Sequence, residues 1–358
     1  MFENLTSKSR KEPVLDLDST VVTNVDARLA LTQTLSQLSK ECYNQFKSQF
    51  IDSLSDANQA LYNKLCQIPY AEKDWWRDQH DIIVTRAMAK IIQGEAQRGA
   101  ELLPEWLITV ALIHDRGYGV LANTPQLGTE NYLKTAGAHW ENVDVRLHHS
   151  YLSRELAEIS LLGRHPEMLS SEPYVQVGNC QHTIPNSEAE LFLEIVEKHD
   201  HPLIERYEDL PQLGRHHFDA DSLYSISLSS FVKDYLSYLS DDKKRAQIQQ
   251  SALFGSECFT LRDLLTIRLS RYYRCESELP LNWPIDSSPL NTNAYQLAEG
   301  RRCLVPHSVT AKQLTDTAFL RLYECVIQFE RAPEIGSFIA WMRGALFEEM
   351  NQYFLPPL

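Results

Sequence analysis

The stretch Leu112-Ile113-His114-Asp115-Arg116-Gly117-Tyr118-Gly119 decides how the rest of the chain is read. An apolar run ends in an adjacent His and Asp, and glycines follow at once. That order places an imidazole and a carboxylate at the end of a buried helix, where the backbone stops and a cavity can open. Such donors suit Zn, Fe, Mn or Mg rather than a soft thiolate site. A His-Asp dipeptide is common by itself, so the reading depends on whether other segments supply further ligands.

Upstream, residues 72–98 follow a helical rule, with His80, Ile83, Val84, Ala87 and Ile91 on one apolar stripe. Pro104 opens the next helix, where its missing N–H costs nothing, and Leu107, Ala111 and His114 share its inward face. Gly117 and Gly119 are expected to end it, and residues 120–140 read as a long loop that could act as a lid or a substrate-binding segment. Downstream, His148-His149 is expected to begin a helix that stops near Gly163. Ser187 and Glu190 have the spacing of a capping box, and Phe192, Ile195, Val196 and His199 form the stripe of the helix that follows. After a polar link containing His216 and His217, Asp221 is expected to start the inward face of a helix running through Tyr224, Leu228, Phe231 and Tyr235. Asp219, off that stripe, fits an acid that favours the helix dipole.

The chain has 358 residues, 43% hydrophobic and 23% charged, an ordinary globular mix. A formal net charge of −14 argues against a general nucleic-acid binder, which needs a basic face. It leaves room for a phosphorylated substrate, because a metal can reverse the local sign. Seven scattered cysteines without a Cys-x-x-Cys pair indicate neither a disulfide framework nor a thiolate zinc site, and fit a reducing cytosol. Met1 to Leu5 lacks the basic-then-apolar order of a signal peptide, and no apolar run is long enough to span a bilayer. A cytoplasmic protein with no membrane partner is the expectation. Period-2 runs are unconvincing, so the fold class expected is all-α. The arginines at 262, 268, 271 and 274 read as a solvated helix face, and 276–310 as a long connection before helices at about 311–331 and 333–354.

His80, His114, Asp115 and Asp221 thus give four hard donors on three helices, three of them on apolar stripes. Burying several ionisable groups without a partner costs several kcal/mol, and a shared cation removes that objection. This order resembles the HD-domain superfamily of metal-dependent phosphohydrolases. Leu112 to Tyr118 is similar to that family's apolar-apolar-His-Asp-x-Gly-Tyr stretch, and Asp219-Ala220-Asp221-Ser222-Leu223 to its Asp-Ala-Asp-basic-Leu stretch. The chain departs from the pattern at Ser222, where a basic residue is usual, and at Arg116, where an apolar one is common.

The resemblance covers about 72–240 and implies an HD-like helical bundle flanked by N-terminal (1–71) and C-terminal (241–358) helical extensions. It implies His80, His114, Asp115 and Asp221 as metal ligands, with His149 and His199 as extra ligands if two ions bind; His148 and His182 compete for those places. The cofactor expected is one or two divalent ions, among Mn, Fe, Zn, Mg, Ni and Co. Asp115, Arg116 and Lys198 are the candidate catalytic residues, Arg116 facing a substrate phosphate and Lys198 or His148 handling charge or a proton. The activity implied is hydrolysis of a phosphomonoester or phosphodiester of a small nucleotide-like or other phosphorylated metabolite by metal-activated water. Rival readings are a di-iron oxygenase similar to myo-inositol oxygenase on the same scaffold, and a non-catalytic helical sensor or interaction module. The flanking helices offer a surface for a homodimer or a regulator.

Overall fold

The computed structural model describes residues 24–70, 76–100, 102–123, 144–163, 184–199, 209–240, 260–273, 275–284 and 304–354. Among these residues there is no strand, and the fold is all-α. The helices are α1 (Val25–Asp52), α2 (Asp56–Leu65), α3 (Arg77–Gln97), α4 (Trp106–Ile113), α5 (Gly117–Asn123), α6 (Asp144–Leu162), α7 (Ala189–Lys198), α8 (Gln212–Ser225), α9 (Leu228–Ser240), α10 (Leu261–Tyr272), α11 (Val309–Arg331) and α12 (Ile335–Phe354), with a 3-10 turn at Glu276–Glu278. No helix among them is long and apolar enough to cross a membrane.

The fold is built around α4. Its sequence, WLITVALI, is apolar nearly all round, and every residue but Ile108 is buried. A helix with no polar face must be enclosed by others. Helices α2, α3, α6, α7 and α8 pack against it. Helix α3 is long and carries the stripe read from the sequence: His80, Ile83, Val84, Ala87 and Ile91 are all buried. Helix α8 packs against α3, and α11 packs against both.

The two ends of the chain close over this centre. Helix α1 turns Leu31, Leu35, Leu38, Cys42, Phe46 and Phe50 inward, a stripe of three- and four-residue steps. It packs on α9 and α12, where Phe46 meets Phe347 with ring centroids 5.9 Å apart. One continuous cluster of buried apolar side chains runs from Leu31 to Met350.

Carboxylates fasten the later helices by capping. Asp219, in the middle of α8, accepts from the backbone N–H of His307 (2.9 Å) and of Ser308 (3.1 Å) at the start of α11. Glu95 of α3 accepts from the N–H of Thr310 at 3.1 Å. Glu349 of α12, buried, accepts from the N–H of Leu228 at 2.8 Å and so caps α9. Each bond satisfies a donor that a helix start leaves orphaned.

Several expected boundaries move. The glycines after Asp115 do not end the helical path: the chain turns over His114–Arg116 and α5 begins at Gly117, burying Val120 and Leu121. The remainder of 120–140 lies outside the described residues. Helix α6 begins at Asp144, before His148-His149. The capping box at Ser187 does not form; Glu188 precedes α7 and accepts from the Trp106 indole N–H instead. The link expected around His216 and His217 is the first half of α8, with both rings buried. The single long stripe from Asp221 to Tyr235 is broken at Ile226–Ser227 between α8 and α9. The arginines of α10 form a solvated face only in part, since Arg262 and Arg271 keep some exposure while Arg268 is buried. Arg262 pairs with Glu330 at 2.6 Å, and buried Arg268 with Asp234 at 2.6 Å. Arg274 lies outside the described residues.

Asp219→Ala leaves two N–H groups of the α11 start without their acceptor. It should lower unfolding stability by about 1–3 kcal/mol in a urea titration while leaving the metal content of the protein unchanged.

Candidate metal centre

Six side chains converge beside α4, delivered mostly by helix ends. His114 ends α4, with Asp115 in the turn that follows, and His199 ends α7; His80 lies in the first turn of α3, Asp221 in the third turn of α8, and His149 in α6. The C-terminal carbonyls of α4 and α7 therefore face the cluster, and their partial negative charge favours a cation there.

Two histidines are oriented by their own helices. His114 Nδ1 lies 2.9 Å from the carbonyl of Ala111, and His199 Nδ1 lies 2.6 Å from that of Val196. Each Nδ1–H donates backwards, so each Nε2 presents a lone pair to the centre. His114 Nε2, fully buried, makes no hydrogen bond; its near neighbours include Asp221 Oδ1 at 3.6 Å and Asp115 Oδ1 at 4.0 Å.

The donors fall into two sets that Asp115 joins. In one, His80 Nε2 lies 2.8 Å from Asp221 Oδ1, and His80 Nδ1 lies 3.3 Å from Asp115 Oδ2. In the other, His149 Nε2 and His199 Nε2 are 3.0 Å apart and each is 3.3 Å from Asp115 Oδ1. Donors around an ion with bonds of about 2.1 Å stand about 3.0–3.4 Å apart in octahedral or tetrahedral geometry. The second set has that spacing, and the chemistry of all six donors is that of a hard or borderline cation. Groups within ligating reach of one another are His80, His114 and Asp221, and His114, Asp115 and His199.

Electrostatics agree. Burial pushes the Asp115 carboxyl up, but the surrounding imidazoles of His114, His80, His149 and His199 hold it well below the usual carboxylate range. Asp221 is held low likewise by His114 and His80. Burial pulls His80 down, yet Asp115 and the bond to Asp221 raise it to about 10. Buried His217 is pushed well below its ordinary value, by burial and then by His114.

The backbone of α5 and α6 had to come close for this. A Cβ on Gly117 would collide with the His149 carbonyl, so only glycine permits the approach. The Gly117 N–H donates to Ser153 Oγ of α6 at 2.8 Å.

Of the expected residues, His80, His114, Asp115, His149, His199 and Asp221 are brought together. His149 is not in an accessible first turn; it is fully buried. His182 and the side chain of His148 lie outside the described residues. Arg116 turns away from the centre. It is fully buried, ion-paired to Asp81 at 2.6 Å and stacked 4.5 Å from the Tyr70 ring. Tyr70 O–H donates to the same carboxylate at 3.0 Å. The pair ties the turn after Asp115 to the residue after His80. Lys198 is also elsewhere, bonded at 2.6 Å to Glu194 one turn back on a partly exposed face.

The guanidinium at the centre is Arg77, which the sequence reading passed over. Its Nη1 lies 2.9 Å from Asp115 Oδ2, and its plane sits 3.3 Å from the Tyr118 ring centroid and 4.5 Å from that of Trp76. Its place at i−3 from His80 was the available signal. A cleft of about 310 Å³ opens here, lined by His80, Asp115, His199 and Asp221 and by three cations, Arg77, Lys233 and Arg271. Ser222, where a basic residue was expected, lines it too, so cations from other helices supply the positive charge.

Arg116→Met should destabilise the protein by about 3–5 kcal/mol in a denaturant titration, because Asp81 is left charged and buried. Adding Asp81→Asn should restore part of that loss; a substrate-contact role for Arg116 predicts near-wild-type stability instead. Ligation needs a neutral imidazole, and His80 holds its proton to about pH 10 without an ion. Metal binding at pH 7 should therefore release about one proton per His80 engaged, seen as a buffer-dependent calorimetric heat. Affinity should strengthen as pH rises from 7 towards that value.

Comparison with protein-family models, with curated proteins and with solved structures finds no match, so the chemistry of the site carries the assignment.

Proposed function

We propose that this chain is a metal-dependent phosphohydrolase of the HD-domain type, hydrolysing a phosphomonoester or phosphodiester of a small phosphorylated metabolite. The observation that carries the reading is the pairing of two donor sets across Asp115 with a cleft whose remaining charged side chains, Arg77, Lys233 and Arg271, are all cations. In a chain of net charge −14, such a lining favours an anionic substrate.

His80, His114, Asp115 and Asp221 would hold one divalent ion, and Asp115, His149 and His199 a second. Ions held there would supply a water of lowered pKa and a Lewis acid for a phosphoryl oxygen. The protein's own residues do the rest. Asp115 orients Arg77 through the 2.9 Å ion pair, and Trp76 and Tyr118 hold the guanidinium plane. A fixed planar fork suits the oxygens of a phosphoryl group and the charge that builds on them. Tyr118 also stacks on His149, with centroids 3.9 Å apart, so the same ring supports a ligand and the guanidinium.

Elemental analysis of wild type beside Asp115→Ala, with a phosphoester screen, tests the reading. Two ions per chain are expected, lost in the variant together with phosphate release. Bound iron with oxygen uptake and no phosphate release would move the protein to the oxygenase reading. No metal after reconstitution would move it to an interaction module. Arg77→Met should keep its metal and lose about 100- to 1,000-fold in kcat/KM.

A further inference from the structure

A second cleft, of about 500 Å³, adjoins the first. It lies between α1 and α9 and shares Trp76 and Lys233 with the metal cleft. Its walls are rich in hydroxyls: Thr32, Ser36 and Ser39 from α1, and Ser229, Ser237 and Ser240 from α9. On α1 these stand at i, i+4 and i+7. On α9, Ser229, Lys233, Ser237 and Ser240 stand at i, i+4, i+8 and i+11. Each set therefore occupies one helix face. Leu35, Val232, Leu236 and the carboxylate of Asp234 complete the lining.

Lys233 is the hinge between the clefts. Its ammonium lies 3.6 Å from the Trp76 ring centroid and 3.7 Å from Asp234 Oδ1, while the other oxygen of Asp234 is committed to Arg268 at 2.6 Å. A chain of contacts, Asp115–Arg77–Trp76–Lys233, leads from the metal centre to it. Burial pushes its ammonium below the ordinary value although Asp234 offsets part of that cost, and Asp234 is shared with Arg268, so a further anion beside Lys233 would offset more.

We propose that the two clefts form one substrate site in two parts: the reacting phosphoryl group lies at the metal centre, and a hydroxylated body carrying a second anionic group lies against Lys233 and the hydroxyls of α1 and α9. The substrate class is a phosphorylated sugar or polyol with a second acidic group. The inference rests on the hydrolase reading above and narrows it. Hydroxyl side chains both donate and accept, which matches sugar hydroxyls. A planar base is disfavoured, because Trp76 is already packed against Tyr224 (6.1 Å, 14° between planes), Arg77 and Lys233.

Calorimetric titration of the metal-reconstituted protein with fructose 1,6-bisphosphate and with inorganic phosphate tests this, with phosphate release followed in parallel. The bisphosphate should bind at least about tenfold tighter than phosphate. Ser36→Phe, which fills the second cleft, and Lys233→Met should each cut that ratio by about tenfold or more. Ser237→Phe replaces Ser36→Phe if the latter does not fold. A wild-type ratio near one overturns the inference, as does a ratio unmoved in folded variants. Selective binding without phosphate release leaves the two-part site standing and removes the hydrolase reading. Hydrolysis of phenyl phosphate without selectivity does the reverse.

Discussion

The Asp81–Arg116 ion pair is the constraint on which the histidine–aspartate cluster depends. Both side chains are almost wholly enclosed, and the Tyr70 hydroxyl supplies Asp81 with a further bond. A buried pair of this kind contributes little net stability over an apolar replacement, yet it tolerates only one geometry. Here that geometry ties α3 to the turn after α4. Since Asp81 follows His80 and Arg116 follows Asp115, the bond sets the distance between His80 on α3 and Asp115 at the end of α4. The glycine at 117 then lets α6 come close enough for His149 to join them.

Within the centre, charge is shared rather than isolated. Asp115 uses one oxygen towards His149 and His199 and the other towards His80 and Arg77. Asp219 and Asp221, two residues apart on α8, show how partners decide roles. Asp221 meets two imidazoles, whereas Asp219 accepts from the backbone of the α11 start. An acid read locally as support for its own helix dipole is in fact the cap of another helix, nearly ninety residues later in the chain.

The flanking helices are not appendages to the ligand helices. Glu349 caps α9, Glu95 and Asp219 cap α11, and α1 packs on both α9 and α12. Through α9 they also hold Lys233 over the cleft. The surface between α1 and α9 exists only because the N-terminal helix folds back onto the centre.

The sequence by itself determined the all-α class, the inward stripe of α3 and the burial of α4, because helical periodicity is local and survives without neighbours. Periodicity also marked His80, His114 and Asp221, each on an apolar stripe, whereas His149 and His199 entered as ligands only through the family resemblance, with His148 and His182 competing for those places. Only the tertiary structure decided which charge answers which. Arg116 and Arg77 are both arginines near a ligand, and nothing in their local pattern says that one is buried on Asp81 and the other faces Asp115. His216 and His217 read as polar linker because burial of a polar ring depends on helices far away in sequence. Partner choice between side chains is a property of long-range packing, and periodicity carries no record of it.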